Sequence, residues 1–145
     1  MFDGEFYHTL DAKGRLILPA RFREELGGSF MITRGLDGCL FVYTQLEWQA
    51  LDEKLQKLPL INKGARELTR FFHAGVTQCE PDKQGRILVP AGLRTYADLK
   101  KEVCMVGVGK HIEIWDKERW ENNMSDISEN MDGLLDGMQD MGFLI

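Results

Sequence analysis

No run of apolar residues in the 145-residue chain approaches the ~18–20 needed to span a membrane. The start, Met1-Phe2-Asp3-Gly4-Glu5, is acidic and lacks the basic opening of a secretory leader, which points to a cytoplasmic protein. Cysteine is scarce. Cys39, Cys79 and Cys104 are odd in number, widely spaced and form no C-x-x-C pair. That argues against a disulfide framework or a cysteine-rich metal site, and suits three small buried residues in strands. Catalytic punctuation is missing too. There is no Gly-x-x-x-x-Gly-Lys loop and no Gly-x-Ser-x-Gly elbow, and His8, His73 and His111 lack metal-ligand spacing. An enzyme, a metal site, a cofactor and a small-molecule substrate are therefore not expected.

Global positive charge is also lacking, since the net charge is −5. Its distribution matters more than its sum. Residues 121–145 hold six acids (Glu121, Asp126, Glu129, Asp132, Asp136, Asp140) and no Lys or Arg. Without them the 23 acids fall to 17 against 18 bases, so the body is near neutral. Nucleic-acid affinity would have to come from a local basic patch.

What is present is a chain written twice. Asp11-Ala-Lys-Gly-Arg-Leu-Ile-Leu-Pro-Ala-Arg-Phe-Arg23 matches Asp82-Lys-Gln-Gly-Arg-Ile-Leu-Val-Pro-Ala-Gly-Leu-Arg94. A second block, Asp37 to Trp48, matches Gly109 to Trp120 in the same order and at nearly the same spacing. Two matching blocks in one order indicate duplication. The boundaries follow: a first repeat over 1–60, a linking helix over 61–73, a second repeat over 74–123, and an acidic tail over 124–145.

Each half predicts the same local structure. A strand (Glu5 to Leu10; Gly75 to Glu80) enters a turn with Asp first and Gly last. A short apolar strand follows (Arg15 to Leu18; Arg86 to Val89). Pro19 and Pro90 stop it and can occupy the first position of a helix, Ala20 to Leu26 in the first half. Strand pairs come next, Phe30 to Thr33 with Cys39 to Tyr43, and Val103 to Val108 with His111 to Trp115. Alternation places Glu113 in solvent, whereas Tyr43 and Trp115 are packing or interface aromatics. Thr44 and Asp116 cap the closing helices, the first with Trp48, Leu51, Leu55 and Leu58 on its apolar face. In the linking helix, Leu68, Phe71 and Phe72 share a side. In the tail, Met124, Ile127, Met131, Leu134, Met138 and Met141 recur at 3-4 spacing, which leaves an amphipathic helix and disorder both open because Gly133 and Gly137 weaken helix. Halves of about 60 residues are marginal alone. Two interleaved βαββ-like repeats in one β-barrel with peripheral helices, mainly β within the α+β class, would cover the exposed sheet edges.

The turn motif Asp-x-x-x-Arg carries the functional expectation. Asp11 or Asp82 can hold the turn backbone and steer the guanidinium of Arg15 or Arg86. A preoriented Arg on a rigid hairpin suits phosphate contact or bidentate contact with guanine. Lys13 and Lys83 lie in the turns, with Arg21, Arg23 and Arg94 close behind as additional DNA contacts. Residues 11–23 carry four bases against one acid, and residues 82–94 three against one. A simple ion pair that holds the turn is the competing explanation, because exposed pairs are common and worth only ~0–1 kcal/mol.

These two motifs, Asp11-Ala-Lys-Gly-Arg-Leu-Ile-Leu-Pro-Ala and Asp82-Lys-Gln-Gly-Arg-Ile-Leu-Val-Pro-Ala, resemble the paired signatures of the MraZ family, bacterial transcriptional regulators related to AbrB-like proteins. The resemblance runs from Met1 to about Asn123. It implies a double-split, swapped-hairpin barrel in one chain, a homo-oligomeric ring, and binding to repeated boxes in double-stranded promoter DNA. It further implies repression of the protein's own division and cell-wall operon, and a place at the nucleoid. Carried over by position, the DNA-binding residues are Asp11, Arg15, Asp82 and Arg86, with Lys13 and Lys83 as phosphate contacts at matching positions. Because Arg21 and Arg23 flank the first copy where Gly92 and Leu93 stand in the second, the first copy is expected to dominate. The alternative is an oligomeric protein-interaction scaffold that uses the Asp/Arg turns as interface ion pairs.

Overall fold

A computed structural model describes all 145 residues. Strand β1 (Phe2–Thr9) leads through a turn into β2 (Arg15–Ile17), α1 (Ala20–Leu26), β3 (Phe30–Arg34), β4 (Leu40–Thr44) and α2 (Gln45–Gln56). After α3 (Lys63–Gly75) the order recurs as β5 (Thr77–Cys79), β6 (Arg86–Leu88), α4 (Ala91–Tyr96), β7 (Glu102–Gly109), β8 (Ile112–Asp116) and α5 (Lys117–Glu129). Helix α6 (Met131–Gln139) is last.

Side-chain caps start three of the helices. Thr44 Oγ1 accepts the Glu47 N–H at 3.1 Å, Asn62 Oδ1 accepts the Ala65 N–H at 2.9 Å, and Asp116 Oδ2 accepts the Arg119 N–H at 3.4 Å. Pro19 and Pro90 stand one place earlier than expected. Their extended ψ of 138° and 146° makes them caps rather than first helical residues. Their carbonyls accept the first helical bonds, from Arg23 and Arg94 at 3.0 Å each.

The halves exchange their leading strands. β1 pairs with β7 of the second half from Phe2↔Gly109 to Thr9↔Glu102, whereas β5 pairs with β3 of the first. All pairing is antiparallel, in a six-stranded sheet of order β1-β7-β8-β4-β3-β5 and a separate ribbon, β2-β6. The barrel expected from the repeats is thus divided between two sheets in a mixed α+β fold. Pro19 and Pro90 end β2 and β6 after three residues, which leaves no strand length to join the ribbon to an edge of the larger sheet.

Both faces of the large sheet are buried, which explains the nearly continuous apolar runs of β4 and β7. One face packs Phe30, Ile32, Val42, Met105 and Ile112 against Leu16, Ile87, Phe22 and Leu93 of the ribbon and α1 and α4. The other packs Phe41, Tyr43, Cys104 and Trp115 against Trp48, Leu55, Phe72 and Trp120 of α2, α3 and α5. All three cysteines are buried and free.

Some local expectations change. β5 is shorter than Gly75 to Glu80 because α3 continues to Gly75. Glu113 is half-buried rather than in solvent, because the helical layer over that face lets it accept the Trp115 indole N–H at 3.0 Å. Leu58 and Leu68 are exposed: Leu58 lies past the end of α2, and Leu68 lies midway along α3, one turn before the buried Phe72. The tail is helical, and α5 runs across the expected boundary at residue 124 before breaking at Asn130.

Candidate nucleic-acid interface

The site begins at the two Asp-to-Gly turns. In the first, the Gly14 N–H bonds the Asp11 carbonyl at 3.0 Å, and in the second the Gly85 N–H bonds the Asp82 carbonyl at 3.0 Å. Gly14 and Gly85 have φ of 81° and 76°, a region that other residues rarely enter.

Each carboxylate then divides its oxygens between backbone and guanidinium. Asp11 Oδ1 accepts the Lys13 and Arg15 N–H groups at 2.9 and 2.8 Å, while Oδ2 accepts Arg15 Nε–H at 2.7 Å. Asp82 repeats this with Gln84 and Arg86, both at 2.9 Å, and with Arg86 Nε–H at 2.8 Å. The backbone donor of the Arg, its side chain and the middle turn N–H hold both carboxyls below their ordinary value. The bonds engage Nε and leave the Nη groups of both half-exposed guanidiniums for a ligand.

The ribbon joins the two motifs in one site. Its register is Arg15↔Leu88, Leu16↔Ile87 and Ile17↔Arg86. Leu16 and Ile87 are buried, so alternation turns Arg15, Ile17, Arg86 and Leu88 outward together. Arg15 and Arg86 are diagonal neighbours, a relation that places two residues about 7–8 Å apart with their Cβ atoms somewhat closer. Ile17 and Leu88 complete the same face, 47% and 57% exposed. Nothing in the sequence separates these two from ordinary strand residues. Alternation about Leu16 would have turned Ile17 outward, but the partner strand that makes this a face is 71 residues away.

The additional bases divide by position. Arg21 is exposed on α1, whereas Arg23 and Arg94 are half-buried and cross between the halves. A Cβ on Gly14 would fall 2.7 Å from Arg94 Cζ, and one on Gly85 would collide with Arg23 Nη1. Each turn thus lies beneath an arginine of the opposite half. The backbone crosses likewise: the Leu18 N–H bonds the Gly85 carbonyl at 3.0 Å, and the Val89 N–H bonds the Gly14 carbonyl at 2.9 Å. Arg94 Nε is buried without an acceptor. Lys13 and Lys83 are both exposed in the turns but do not match, because Gln84 is the counterpart of Lys13 in bonding the carboxylate. Likewise Arg23 has its counterpart in Arg94, which leaves Arg21 against Gly92 as the difference in charge behind the motifs.

A family model described as "MraZ protein" matches the chain twice, over residues 1–71 and 72–139. The chain is 56% identical over 140 residues to the "Transcriptional regulator MraZ" of Ligilactobacillus salivarius, covering 97% of this chain and 98% of the relative. It is 52% identical over 142 residues to the protein of that name from Caldicellulosiruptor saccharolyticus, with 98% and 99% covered. For the Moorella thermoacetica protein of the same name, identity is 53% over 140 residues, with 97% and 98% covered.

Proposed function

This chain belongs to the MraZ family of transcriptional regulators, and we propose that it acts by binding repeated boxes in promoter DNA as a ring-shaped homo-oligomer. Its target is the division and cell-wall operon containing its own gene, which it represses. Asp11, Arg15, Asp82 and Arg86 form the DNA-reading centre. Lys13, Lys83 and Arg21 supply phosphate contacts around it.

The single observation that carries this proposal is the outward face of the β2-β6 ribbon, where two arginines are fixed in matching geometry by their own turn carboxylates. A two-stranded ribbon fits the major groove, where a guanidinium can bind guanine O6 and N7 together. Holding Nε with Asp removes most of the rotamer freedom that the long side chain would lose on binding. The exchanged leading strands and the crossed ribbon support the swapped-hairpin barrel as the frame of the site. The charge balance fits an oligomer, because one near-neutral body offers few phosphate contacts. Several copies along one duplex act at high effective concentration.

Binding to a duplex carrying direct repeats, titrated with salt, tests the proposal. The full chain should show a steep decline of log affinity with log salt. Arg15→Ala should nearly abolish binding while leaving folding and assembly intact, since each lost bidentate contact is worth about 1–3 kcal/mol and is multiplied across copies. Unchanged binding by that variant, or a flat salt response, would overturn it.

A further inference from the structure

Two bare surfaces of this chain complement each other. The first is the connection between α2 and α3, where Leu60 is 81% and Ile61 92% exposed. Arg66 Nη1 donates to the Leu60 carbonyl at 3.0 Å and so holds the loop in shape. Beside it runs a groove of about 420 Å³ lined by Leu55, Leu58, Pro59 and Ala65, with Arg66 and Arg70 on its wall. The local charge is strongly basic, as residues 54–70 carry Lys54, Lys57, Lys63, Arg66 and Arg70 against Glu67 alone.

The second surface is the end of the chain. α6 buries none of its residues, and Met131, Leu134 and Met138 are exposed along it. Phe143, Leu144 and Ile145 follow, also exposed. Asp132, Asp136 and Asp140 supply the charge of this segment, without any Lys or Arg. An exposed apolar segment of this extent on a soluble chain marks a contact surface.

One copy leaves both surfaces open. α3 packs on β3, whereas α5, from which the tail extends, packs on β7 and β8. β3 and β7 are three strand steps apart in the sheet, about 14 Å at the ~4.8 Å spacing of neighbouring strands. We propose that residues 131–145 of one copy seat in the α2–α3 groove of a second copy, apolar side chains on Leu58, Leu60 and Ile61, and aspartates on Lys57, Lys63 and Arg70. Opposite charges would fix the register, and apolar burial would supply the affinity. Such a head-to-tail contact uses different patches on the two partners, so it propagates until it closes into a ring. It rests on the oligomeric reading above and deepens it by naming the surfaces that meet.

The test measures molar mass by light scattering, alongside DNA binding, for the full chain, Ile61→Asp and a chain ending at Asn130. The full chain should be assembled, and both variants should lose the assembled peak and run as monomers. Ile61 is almost fully exposed, so its substitution leaves folding alone. Oxidising Ile61→Cys/Leu144→Cys should give a ladder of covalently linked chains. An assembly of unchanged mass in both variants, or crosslinks confined within single chains, overturns the tail-to-groove contact and leaves the ring standing. A monomeric full chain overturns both, and DNA binding lost only with Arg15→Ala identifies the DNA site separately.

Discussion

The guanidinium of Arg94, carried on α4 of the second half, lies against Gly14 at the hairpin tip of the first. Arg23 and Gly85 form the reciprocal pair. Neither Asp-to-Gly turn is therefore complete within its own repeat, and each owes its lid to the other.

This contact sets the tolerance of the glycines. Gly14→Ala should destabilise the protein by about 1–3 kcal/mol, because a side chain at φ 81° is strained and Arg94 must move. Gly92→Ala should instead be neutral or stabilising by up to ~1 kcal/mol, since Gly92 lies in α4 with open space around it. Urea unfolding of both variants measures the contrast.

Arg94 should act on DNA through the hairpin. Arg94→Leu should lower affinity for a repeat-bearing duplex while leaving the slope of log affinity against log salt unchanged. Lys13→Ala should reduce that slope by about 1 per binding unit, as expected for a lost phosphate contact. Titration of both variants between low and physiological salt separates the two roles. A reduced slope for Arg94→Leu would make it a direct contact.

The two motifs should differ mainly through Arg21. With Arg23 matched by Arg94, the larger loss expected for Arg15→Ala than for Arg86→Ala should shrink when Arg21→Ala is added. Fluorescence anisotropy on one duplex for the single and double variants measures this.

Ile17 and Leu88 should read thymine methyl groups. Truncating either to Ala should change stability by no more than about 0.5 kcal/mol, as for an exposed residue, yet weaken promoter binding. Replacing thymine by uracil in the duplex should weaken the full chain, weaken each single Ala variant less, and leave the Ile17→Ala/Leu88→Ala variant unaffected. Equal losses for the full chain and the Ile17→Ala/Leu88→Ala variant would remove these residues from the reading face.

Acid should loosen the hairpins before neutral conditions do. Asp11 and Asp82 ionise below their ordinary value near 3.8, so the folded state favours the charged form. Their contribution is fully present above that value and is lost as pH falls through the lowered one. Unfolding between pH 3 and 7 should show it: Asp11→Asn/Asp82→Asn should flatten the decline below about pH 4 and change nothing in its slope between pH 5 and 7.

Much of this was written locally. The duplicated Asp-to-Pro blocks, the Gly-ended turns, the caps at Thr44 and Asp116 and the seven-residue helix from Ala20 all follow from side chains acting on neighbours a few positions away. So do the Asp11–Arg15 and Asp82–Arg86 pairs, because a tight turn brings those positions together whatever surrounds it. The burial of Glu113 and the exposure of Leu58 and Leu68 were not legible, since each depends on which distant elements pack over it. What the sequence determined by itself was therefore two copies of one hairpin, each with its arginine held by its own aspartate. Only the tertiary structure decided that Arg15 meets Leu88, that Arg86 meets Ile17, and that Arg94 closes over Gly14. Those contacts join residues about 70 to 80 positions apart, where periodicity and turn chemistry carry no information and only the packing of one half into the other selects the register.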